Sequence, residues 1–107
     1  MITIVGETSD GKPVVAGIYR FHETAGIPVD IILEVIRDRG HMPDWQSFVV
    51  EAVSAGMSVE RAIAKLEPCI VDVFGPEMRD VVVARLSVGV EADEEWRAKH
   101  GTHDIRN

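Results

Sequence analysis

The stretch Pro28-Val29-Asp30-Ile31-Ile32-Leu33-Glu34-Val35-Ile36-Arg37-Asp38-Arg39-Gly40 decides the fold class. Val29, Ile32, Leu33 and Ile36 recur at helical spacing with Ile31 and Val35 beside them, and Asp30, Glu34, Arg37 and Asp38 fall opposite. Only a helix gathers such a set on one face; a strand would divide it between two. Proline suits the first helical position, where its missing N–H loses no partner. Gly40 is a natural stop, and Arg37 and Arg39 complement the negative end of the helix dipole. The spacing therefore predicts an amphipathic helix ending at Gly40.

The same grammar runs downstream. Pro43 is expected to open a second helix, with Asp44 in its first turn, an apolar stripe of Trp45, Phe48, Val49, Ala52 and Val53, and Gly56 as its stop. Ser58 is a good N-cap for a third, carrying Val59, Ala62, Ile63 and Leu66. Pro68 is expected to end or kink it, because its ring meets the carbonyl four residues back and it has no N–H to donate. Cys69 to Phe74 reads as a short helix or a buried strand, six residues being too few for periodicity to decide. Pro76 opens a further helix with Val81, Val82 and Leu86 inward.

Upstream, residues 2–5 alternate weakly and are rich in β-branched side chains, which predicts a short strand. Glu7 to Lys12 is a turn or loop, and Val14 to Phe21 reads either as a second hairpin strand or as a helix. The expected fold is mainly α, a single domain over 1–107: strand and loop over 1–13, a helical body of four or five short helices over 14–88, and a charged C-terminal segment over 89–107. Its expected core is Ile32, Ile36, Phe48, Val49, Ile63, Leu66, Phe74, Val82 and Leu86.

Eleven Lys and Arg against eighteen Asp and Glu give a formal charge of −7, and no three basic residues are consecutive. Nucleic-acid affinity comes mainly from neutralising phosphates, so binding DNA or RNA is not expected as the main task. An acidic surface suits another protein with a basic one. No apolar run approaches the ~18 residues that cross a bilayer. Met1 to Glu7 has neither the basic nor the long apolar region of a secretory signal. One cysteine excludes an internal disulfide, so the cytoplasm is the expected compartment.

Several patterns approach chemistry and stop short. Gly6-Glu7-Thr8-Ser9-Asp10-Gly11-Lys12 follows a strand with the spacing of a phosphate-cradling loop, but Pro13 stands where that motif needs a magnesium-holding hydroxyl. His22-Glu23 would begin a zinc-protease helix, yet Gly26 occupies the place of the second histidine. His100, His103 and Asp104 sit around Gly101 in a charged tail, which reads as solvated. Cys69 reads as a small buried hydrophobe. No catalytic residue, cofactor or metal is therefore expected.

The tail carries the one expected binding site. Glu91, Asp93, Glu94 and Glu95 precede Arg97, Lys99 and His100, an order that matches the dipole of a terminal helical turn or two. Trp96 is the large apolar side chain among them. It either folds back onto the body, the preferred reading, or anchors an interface, where tryptophan is enriched. Glu91, Asp93, Glu94, Glu95 and Trp96 are accordingly the expected partner-binding residues.

The run Gly17-Ile18-Tyr19-Arg20-Phe21-His22-Glu23-Thr24-Ala25-Gly26-Ile27-Pro28-Val29-Asp30 resembles a segment of bacterial alanyl-tRNA synthetases, F-K-L-Y-D-T-Y-G-F-P-L-D, followed there by an acidic helix ending in E-R-G. The Thr24-x-Gly26-x-Pro28-x-Asp30 skeleton stands here, with Asp38-Arg39-Gly40 at a similar distance and Asp44 and Phe48 near a later Asp and Phe. The resemblance covers residues 15–53. It implies a helix over Val14 to Phe21 and no catalytic residue, since the family's ATP-binding motifs and its His and Cys editing ligands have no counterpart. The function expected from the whole sequence is a non-enzymatic protein-interaction module, by association an inhibitor of host defence machinery of the kind phage and other mobile elements carry. The alternatives are a tRNA- or synthetase-related accessory module and a small enzyme using His22 and Glu23; a homo-oligomer is left open.

Overall fold

The computed structural model describes residues 2–86. In chain order these form β1 (Thr3–Glu7), β2 (Pro13–Ala16), α1 (Ile18–Ala25), α2 (Val29–Asp38), β3 (Met42–Pro43), α3 (Trp45–Ser54), α4 (Val59–Phe74) and α5, described over 76–86. The domain is mainly α, five helices beside a three-stranded sheet of order β1-β2-β3.

The hairpin follows from its turn chemistry. Thr8 N–H donates to Lys12 O at 2.8 Å, Gly11 N–H to Thr8 O at 3.0 Å and Lys12 N–H to the Thr8 hydroxyl at 2.9 Å. Gly11 takes φ +88°, which a side chain would disfavour. β1 and β2 pair antiparallel, with Ile4 opposite Val15 and Gly6 opposite Val14, so Val5 forms a bulge. The strand reaches Glu7, two residues beyond the expected 2–5.

Val14 to Phe21 is a strand for its first half and a helix for its second. Gly17, at φ +92°, turns the chain between Ala16 and Ile18, so the helix implied by the resemblance begins only at Ile18. The chain then returns through β3, a two-residue strand that sequence reading missed, parallel to β2 with Val14 opposite Met42 and Val15 opposite Pro43. Pro43 is consequently a buried strand residue, and α3 opens two residues later, after Asp44. Asp44 caps it: its carboxylate accepts from Ser47 N–H at 3.4 Å, and its own N–H donates to Val15 O at 2.8 Å.

Three helix ends behave as their residues dictate. After α2, Gly40 N–H reaches Arg37 O and His41 N–H reaches Ile36 O, both at 2.9 Å; after α3, Gly56 and Met57 repeat the arrangement on Val53 and Ala52 at 3.0 Å. These paired bonds satisfy carbonyls that a helix end leaves open, and Gly40 and Gly56 supply the positive φ they require. Ser58 caps α4 by accepting from Arg61 N–H at 3.2 Å.

Pro68 neither ends α4 nor divides it; the helix runs unbroken to Phe74 and absorbs Cys69 to Phe74. Pro68 and Ala64, the residue four positions back whose carbonyl loses its donor, are both exposed. A proline on the solvent side of a helix leaves the unpaired carbonyl within reach of water, and helices curve convex toward solvent. Gly75 ends the helix and Pro76 restarts it, as expected.

The core gathers Val15, Ile18 and Tyr19 with Val29, Ile32, Leu33, Ile36, Phe48, Val49, Ala52, Ala62, Leu66, Ile70, Val73, Val82 and Leu86. Two expected members, Ile63 and Phe74, are only half-buried at its edge, and so is Trp45, which the stripe had placed inside. Val81, expected inward, is 50% exposed. Tyr19 packs edge-on to Phe48 at 5.3 Å, and Trp45 edge-on to Phe74 at 5.6 Å.

Candidate functional site

Three of the residues that depart from expectation, Trp45, Phe74 and Val81, meet in one place. Trp45 at the start of α3, Phe74 at the end of α4, Met42 and Pro43 of β3, and Met78, Val81 and Val82 of α5 line an open groove of about 860 Å³. Thr8 and Ser9 of the hairpin loop close one side. Asp44, Gln46, Glu77 and Arg85 supply its polar lining.

Each wall has a local cause. Met78, Val81, Val82 and Arg85 stand at i, i+3, i+4 and i+7, so one flank of α5 faces the groove along two turns. β3 is held against β2 with Met42 opposite Val14, and Met42 lines the same groove as Thr8 and Ser9. The Asp44 cap fixes the first turn of α3 and with it Trp45. Two thioethers beside an aromatic pair make an adaptable apolar surface, since methionine is unbranched and polarisable. The volume falls within the range of ordinary ligand pockets, and its walls combine aromatic and aliphatic side chains with six polar ones, but the groove is open where such pockets enclose their ligand.

The other sequence candidates lie elsewhere. His22 Nδ1 sits 2.7 Å from Ile27 O, and Glu23 Oε2 accepts from the Tyr19 hydroxyl at 3.2 Å. His22 is thus engaged at the α1–α2 corner and Glu23 within α1, and neither lines the groove. Burial raises the Cys69 thiol above its ordinary range, with the Asp30 and Asp72 carboxylates pushing the same way. Its Sγ donates to Lys65 O at 3.6 Å, which suits a structural thiol better than a nucleophile. In the Gly6 to Lys12 stretch the Thr8, Gly11 and Lys12 amides are bonded inside the hairpin turn. Among the described residues no three His, Cys, Asp or Glu gather as metal ligands, and no helix is long and apolar enough to cross a membrane. Glu91, Asp93, Glu94, Glu95 and Trp96, like His100, His103 and Asp104, lie outside the described residues.

The groove was not visible in sequence because its walls come from five separate segments. The one available signal was the α5 flank of Met78, Val81 and Val82, whose helical spacing reads equally well as core. No family model matches the chain, and neither a curated protein nor a solved structure matches it.

Proposed function

We propose that the chain is a non-enzymatic protein-interaction module whose docking surface is the groove between α5, β3 and the start of α3. The observation that carries the reading is the groove itself: an exposed, aromatic- and methionine-lined trough on a small domain, the kind of surface that receives an apolar anchor from another protein. The partner chemistry that fits is an apolar side chain presented by a protein with a basic surface, matching the formal charge of −7. By association alone, we propose as its setting a small acidic cytoplasmic inhibitor carried by a phage or other mobile element and acting on host defence machinery.

Val81 is the residue on which to test it. It lines the groove and is half-exposed, so a charge there is tolerated by the fold and not by an apolar ligand. Immobilised full-length protein is expected to retain a protein from bacterial lysate in stoichiometric amount, less firmly as salt rises. Val81→Lys is expected to lose it. Retention unaffected by Val81→Lys would contradict the reading.

A further inference from the structure

Glu77, Val81 and Arg85 stand at i, i+4 and i+8 on α5, and all three are exposed and line the groove. They form one row, acidic, apolar and basic in turn, with about 6 Å along the helix axis between neighbours. The end charges are therefore ~12 Å apart, too far to pair with each other. Nor do they pair elsewhere. Among the described residues the ion pair on α5 joins Arg79 to Asp80, and the Glu77 and Arg85 side chains have no hydrogen bond or salt bridge. The groove's third charged residue, Asp44, caps α3 and stands off this row, with its carboxylate accepting from Ser47 N–H.

The row is its own complement. A half-turn about an axis through Val81 sets acid opposite base at both ends and Val81 opposite Val81. Such a contact closes with two copies, because the same patch serves both sides. Helices commonly pack by laying i±4 rows against each other, so the arrangement asks for no unusual geometry. A helix also suits the groove better than an extended segment does. The sheet edge that lines it, β3, is two residues long, and its Pro43 has no N–H to give a new strand. Val81, 50% exposed in the single copy, is covered at the centre of the contact.

The geometry points to a second copy of this chain as an occupant of the groove, docked antiparallel through α5 with Glu77 of each copy facing Arg85 of the other. The inference does not rest on the external-partner reading; an anchor from another protein and a second copy compete for the same Val81.

Sedimentation equilibrium of the purified full chain is expected to show a weak monomer–dimer equilibrium. Glu77→Arg and Arg85→Glu, both at exposed positions, are each expected to weaken it about tenfold or more, because like charges then meet at both ends of the contact. Mixed in equal amounts, the two single variants are expected to pair with each other. The double variant Glu77→Arg/Arg85→Glu is expected to dimerise as the parent does. General repulsion would respond in opposite directions to the two single variants, and Asp44 is unchanged in all of them. Damage to α5 would be greatest in the double variant. A parent chain that stays monomeric up to ~1 mM would overturn the proposal. So would single variants that dimerise like the parent, or a mixture and a double variant that fail to recover. None of these results bears on the retention of a lysate protein through Val81, which is measured separately.

Discussion

Glu51 does more for this fold than its place on a helix surface announces. From α3 its carboxylate accepts Gly17 N–H through Oε2 and Arg20 N–H through Oε1, both at 3.1 Å. α1 has no side-chain cap of its own, because Gly17 at φ +92° offers none. Glu51 therefore caps a helix from 34 residues away, adding a negative charge at the positive end of its dipole. Glu51→Ala is expected to cost about 1–2 kcal/mol, read as a lower urea midpoint, with Glu51→Gln intermediate. An unchanged midpoint would mean that α1 is held by burial alone. The rings give a second residue-scale expectation. Phe48 is 1% exposed and packs on Tyr19, so Phe48→Ala should cost about 3–5 kcal/mol. Trp45→Ala should cost clearly less, since that ring is half-buried at the groove. Equal losses would argue that the groove wall is closed. At Cys69 the raised thiol pKa favours the neutral form, so iodoacetamide labelling should still be accelerating at pH values where a free cysteine has levelled off.

At the scale of elements, α4 is the clearest case of context overriding a local rule. Pro68 sits ten residues into a 16-residue helix, and the helix continues because the face it disrupts is wet. Pro68→Ala restores a donor for the Ala64 carbonyl and is expected to raise stability by about 1 kcal/mol or more, seen as a higher Tm. A lower Tm would show that the proline's restriction of the unfolded chain outweighs the missing bond. Periodicity and caps predicted α2, α3 and the first turns of α4 from sequence, because Gly40, Gly56 and Ser58 act within a few residues of where they stand. The sheet was harder to read. Gly17 splits one apolar stretch into strand and helix, and neither period fits the whole. β3 is two residues long and exists because β2 lies beside it, which no local pattern encodes. Pro43 illustrates the same limit: it reads as a helix start and is a buried strand residue.

For the whole molecule, the apolar excess that sequence reading assigned to the core is divided between a core and a groove. Val82 and Leu86 are buried in the core and also reach the groove, Val81 and Met78 line the groove at its edge, and one helix with a broad apolar stripe serves both. Which residues line the groove depends on how segments far apart in the chain meet, so the core was largely legible and the groove was not. The central claim is that this groove is where the molecule meets an apolar anchor. A photoreactive benzophenone side chain placed at position 81 tests it directly, with positions 35 and 50 as exposed apolar controls in α2 and α3. Irradiation in lysate is expected to yield a discrete higher-mass adduct from position 81 and none from 35 or 50. Adducts from position 35 or 50 with none from 81 would contradict the account.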